Sequence, residues 1–167
     1  MWTYLIKKEF IKKNKLTFLP CVNFQDIEFT TKALFLAKTV SLKKITAINY
    51  VQRKGSALND KKRKYFHYHH LKITESFIKF YKENRNIDSR FINEIKHSFL
   101  RSILDASYYD YKDILKFNQK LKKVILFGKS INNKKLNFFL SLLKFSSLVV
   151  IYGLKLKTFL KLKNKNE

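Results

Sequence analysis

Proline occurs once in the 167 residues, at Pro20, and glycine only three times. So little chain-turning material excludes a meander of short strands and favours long helices. Cysteine is also single: Cys21 can form no disulfide within the chain and no cysteine metal cluster, which fits a reducing, cytoplasmic compartment. Acids are scarce, 12 against 36 lysines and arginines, and leave a formal charge of +24. No Asp-x-Asp pair and no glycine-rich phosphate loop occurs; the nearest carboxylate spacing is Asp26-Ile-Glu28. The first residues carry too short an apolar run, and no small-residue cleavage site, for a secretory signal.

What is present is apolar. Hydrophobic residues make up 46% and aromatics 16%, too much for a chain that stays unfolded through weak burial. The length suits one domain, or a small domain with a helical extension. The positive charge calls for a polyanionic surface, nucleic acid or anionic lipid. Because lysine interleaved with large apolar groups carries the excess, where readers of nucleic acid use arginine forks, lipid is favoured.

Along the chain, Trp2, Leu5, Ile6, Phe10 and Ile11 predict an amphipathic helix over 2–13. Pro20 makes residues 16–24 irregular or extended. Ile27, Phe29, Ala33, Leu34 and Leu36 predict a helix over 25–39 that opens beside Asp26, where an acid is favoured by the helix dipole. Val40–Leu42 and Ile45–Gln52 are strand candidates, and Arg53-Lys-Gly-Ser is a turn. Helices are expected from about 60 to 84, 87 to 109, 111 to 127 and 136 to 162.

Residues 136–154 contain one charge, Lys144, in nineteen positions. A spanning helix needs about 20 apolar residues, and a central lysine costs on the order of 3 kcal/mol, so spanning is one of three alternatives. The others are a terminal helix packed on its own domain and a helix lying in a membrane interface. The lysine and apolar alternation after 154 fits the interface.

The ordered set Trp2, Phe18, Gln25-Asp26, Phe29, Ala37-Lys-Thr-Val, Tyr50 and Arg53-Lys-Gly55-Ser56 resembles the second half of bacterial family 2 glycosyltransferases, which build cell-surface polysaccharides such as capsules. The resemblance covers about residues 1–80. It implies that Asp26 is the general base that deprotonates the acceptor hydroxyl as it attacks the anomeric carbon. Read from the residues alone, Asp26 is a helix-capping acid. Gln25 stands where the family has glutamate. By the same resemblance Arg53 sits near the nucleotide diphosphate, Gly55 and Ser56 add hydrogen bonds, and Trp2 walls the acceptor site. His67, His69 and His70 invite a metal, but no acid or cysteine joins them at ligand spacing.

The fold expected is mainly α with a small β component (α+β): the C-terminal part of a GT-A-like domain followed by a helical extension. Its parts are an acceptor-side segment at 1–60, a helical region at 61–130 and a basic amphipathic helix at 131–167. The resemblance implies a truncated or split enzyme, in which a divalent cation, Mg or Mn, and the nucleotide sugar are held by the family's N-terminal half, so that this chain alone is inactive. Expected partners are that half, a glycan or lipid-linked acceptor, and an anionic membrane at the inner face of the cell membrane. Alternatives from other classes are a basic helical nucleic-acid-binding module and a noncatalytic membrane adaptor.

Overall fold

The computed structural model describes residues 4–20, 23–44, 66–84, 86–106, 111–131 and 133–144, with side chains from 116 onward in the helix that starts at 111. Six helical stretches fill them: α1 (Lys8–Lys13), α2 (Gln25–Leu36), α3 (Phe66–Glu83), α4 (Phe91–Ala106), α5 (Tyr111–Lys129) and residues 134–144, here α6.

No strand occurs among the described residues, which overturns the α+β, GT-A-like expectation. Val40–Leu42 is irregular, with Val40 and Leu42 exposed. A strand exists only through its ladder, and the described residues offer it no partner. The second expected strand, Ile45–Gln52, lies outside the described residues, as does the chain after 144.

The N-terminal helix is also shorter than its apolar pattern suggests. It begins at Lys8 after an extended Lys7, where Tyr4 and Leu5 are exposed and so add no packing to extend the helix. Ile6, Phe10 and Ile11 do pack, against a small cluster of Leu16, Phe29 and Ala33. Lys15, with φ 51°, turns the chain back after α1. The helix α2 ends at Leu36, three residues before the expected limit.

The hub is α3, on which α2, α4 and α5 all pack. Its apolar positions Leu71, Ile73, Phe77, Ile78 and Phe80 meet those of α4 (Phe91, Ile95, Phe99, Ile103), α5 (Phe117, Leu121, Val124, Ile125) and α6 (Leu136, Leu140, Leu143) in one core. The contact pairs fix direction. Phe77–Phe91 and Thr74–Ser98 join rising to falling residue numbers, so α3 and α4 run antiparallel. His67–Phe117 and Lys82–Phe127 rise together, so α5 runs parallel to α3. Gly128 lets α6 approach closely: a Cβ there would lie 2.9 Å from Leu140 Cδ1 and 3.3 Å from Ile78 Cδ1. The side-chain amide of Asn133 caps α6 by accepting from the Leu136 N–H at 2.9 Å. Among the described residues no helix is long and apolar enough to cross a membrane.

Candidate functional site

The start of α2 carries the two candidate residues that the described part of the chain includes. Gln25 is the first residue of the helix and is exposed; Asp26 is the second and is partly exposed. Asp26 is therefore not the cap. That position belongs to Phe24, whose side chain makes no capping bond and whose backbone is left-handed at φ 64°, ψ 21°. Its carbonyl accepts the first helical bond, from the Ile27 N–H at 3.0 Å. Asp26 and Glu28 both fall in the first turn, where the positive end of the helix dipole favours carboxylates.

A left-handed phenylalanine is disfavoured and persists only where its surroundings hold it. Here they do so from α3. The Phe24 ring stacks on His70 at 4.8 Å between centroids and meets Phe66 edge-on at 4.8 Å. The Asn23 N–H donates to His69 Nδ1 at 3.0 Å, so that nitrogen is the unprotonated one. Burial and nearby Lys72 hold the His69 imidazole below its ordinary value, in keeping with an acceptor. The histidine run thus positions the turn before Asp26.

His70 links this turn to α4. Its Nε2 lies 3.3 Å from Asp105 Oδ2, and Arg101 Nε reaches the same oxygen at 3.5 Å. Burial drives the His70 imidazole down to about 4, with the charges of Arg101 and His69 adding to it. The carboxylate beside it acts in the other direction, but it is shared with the permanently charged guanidinium, so His70 is neutral at pH 7. His67 is buried on another side, edge-on to Phe117 at 5.1 Å. The three histidines thus serve three separate contacts, and among the described residues no group of three or more His, Cys, Asp or Glu could hold a metal.

Below Asp26 the helix is locked to α3. Glu28 is fully buried, pairs with Lys32, and accepts from Ser76 Oγ at 2.6 Å, while Lys32 Nζ donates to Ser76 Oγ at 2.7 Å. Phe29 stacks on Phe18 at 4.4 Å, and Phe35 meets Phe91 edge-on at 5.0 Å. With its start on Phe66 and His70, its middle on Ser76 and its end on Phe91, α2 lies along α3 in the same direction. The result is a helix start held by α3 with one carboxylate buried, at 28, and one partly exposed, at 26.

Trp2, Arg53, Gly55 and Ser56 lie outside the described residues, as does Tyr50. The positioning residues Phe24, Phe66, His69, His70 and Ser76 were not singled out for this role by sequence. The one signal for them was the histidine run itself, which suggested a metal.

Set against models of known protein families, curated proteins and solved structures, the chain gives no match to any of them.

Proposed function

We propose that the chain is the acceptor-side part of a family 2-like glycosyltransferase, in which Asp26 accepts the proton of an attacking sugar hydroxyl. The observation that carries this is the construction of the α2 start. Asp26 stands in the first turn of a helix whose preceding residue is held in a left-handed conformation by Phe66, His69 and His70. A general base needs fixed geometry within hydrogen-bond reach of the proton it takes, and a turn clamped from a neighbouring helix supplies that. Of the two acids in this turn, Glu28 is fully buried against Lys32 and Ser76, whereas Asp26 is partly exposed and so within reach of a substrate from solvent.

The chemistry in this chain is limited to the acceptor side. Nucleotide sugar and divalent cation are assigned to a separate half, since no Asp-x-Asp pair or glycine-rich phosphate loop is present in these residues. Turnover of nucleotide sugars with Mg or Mn and a bacterial lipid extract tests the assignment, for this chain alone and joined to a family-type N-terminal half. Turnover only in the joined protein, lost in Asp26→Asn with helix content unchanged, is the expected result. A joined protein that is folded, binds nucleotide and transfers equally well with asparagine at 26 would overturn it.

A further inference from the structure

From residue 114 to 144 the chain has eight lysines and no aspartate, glutamate or arginine. These residues form most of α5 and all of the described part of α6, and their outer surface is unusual in a second way. A helix packed on a core needs one apolar stripe, which α6 supplies with Leu136, Leu140 and Leu143. It carries another stripe facing out: Phe138 is 69% exposed and Leu142 is 53% exposed.

The neighbours extend this second stripe. Gly128 packs against Leu140, and Lys129 Nζ donates to Ser141 Oγ at 2.8 Å, which sets α5 beside α6. On that side of α5 lies Leu126, 57% exposed. On the other flank Phe99 and Lys96 of α4 touch Phe139. The next exposed positions of α4 there are Leu100 and Leu104. Leu126 is one turn from Lys129 and Leu100 one turn from Lys96, so on each flank of α6 an exposed leucine shares a side of its helix with the contact residue, with lysines around them.

Lys134 and Lys135 occupy the first turn of α6, at the positive end of its dipole, where basic residues are disfavoured. Together with the dipole they concentrate positive potential beside Phe138. No carboxylate of the segment offsets them.

We infer that the outer face of α4, α5 and α6 docks on an anionic lipid surface, with Phe138, Leu142 and Leu126 entering the headgroup boundary and the surrounding lysines meeting lipid phosphates. Lysine is the residue that favours this partner over nucleic acid, whose bases and phosphates are met by arginine forks and stacked aromatics. A second copy of the chain is opposed by the like charge of two such faces. The inference is independent of sugar transfer, since it uses none of the residues around Asp26.

The full chain is tested by co-sedimentation with phosphatidylcholine vesicles, with and without phosphatidylglycerol. Binding is expected only to the anionic vesicles and to weaken as salt rises. The double variant Phe138→Glu, Leu142→Glu should lose binding by at least about tenfold, and Lys134→Gln with Lys135→Gln by on the order of tenfold with a shallower salt dependence. All four side chains are exposed or border solvent, so helix content by circular dichroism should be unchanged. An environment-sensitive fluorophore on Phe138→Cys, in a Cys21→Ser background, should shift to the blue on anionic vesicles. Undiminished binding of the double glutamate variant, or a probe that stays in water while the protein binds, would overturn the assignment. So would tighter binding of single-stranded RNA at the same face, or a dimer in sedimentation that the double variant dissolves.

Discussion

Two sides of α3 border differently built regions. Towards α2 and α4, charges are balanced within the fold: Glu28 takes Lys32, and Asp105 takes Arg101 beside the neutral His70. Where α3 and α6 meet α5, lysines contact neutral groups instead. Lys82 and Lys129 reach a carbonyl and a hydroxyl, and Lys82 also sits 3.4 Å from the centre of the Phe127 ring. In the first region the charges hold one helix start in place, whereas the lysines of the second have no carboxylate within residues 114–144 and are the ones inferred above to meet lipid phosphates. Substitutions should therefore act on stability in the first region and on association in the second.

The largest effect is expected at the inward carboxylate. Glu28→Ala removes a fully buried group and strands Lys32 and Ser76, and should lower stability by about 3 kcal/mol in a denaturant titration. Phe138→Glu, on the other face, should leave the same titration within about 0.5 kcal/mol. Equal losses from the two would dissolve the contrast.

Next comes the left-handed turn. Phe24→Ala loses the ring contacts but keeps a side chain at φ 64°, whereas Phe24→Gly loses the rings and relieves the backbone. Glycine should be less damaging than alanine by about 1 kcal/mol. Hydrogen exchange at the Ile27 amide should accelerate in both.

The pH dependence follows from His70. Its folded value, about 4, lies below the ordinary 6.5, so the unfolded chain binds more protons between them. Its contribution is fully present above pH 6.5 and is lost as pH falls towards 4, and it should be of order 1 kcal/mol once solvent screening is allowed for. His70→Phe, which keeps a ring against Phe24, should flatten that slope in denaturant midpoints measured across this range. An unchanged slope would place the titration elsewhere.

The core helices were legible because their apolar spacing is local. The stretches at 66–83 and 91–106 sit within the expected helices, the one at 111–129 starts where expected and runs two residues past the expected end, and Pro20 and Asp26 marked the irregular segment and the α2 start. What could not be read depends on partners distant in sequence. Glu28 is buried because Ser76 faces it from 48 positions away, and His69 is an acceptor because Asn23 comes to it across 46. Val40–Leu42 fails for the same reason in reverse: alternation is local, but a strand needs a neighbour. The outward stripe of Phe138 and Leu142 was visible only as part of one long apolar run, since which side of α6 faces the core is settled by packing.

The division between the two regions is tested most directly by transfer assays on the joined protein with two acceptors, one soluble and one embedded in anionic vesicles. Asp26→Asn is predicted to lower transfer to both by about a thousandfold. The double variant Phe138→Glu, Leu142→Glu is predicted to lower transfer to the embedded acceptor alone. Full transfer with asparagine at 26, or equal loss on both acceptors in the double variant, would contradict the account.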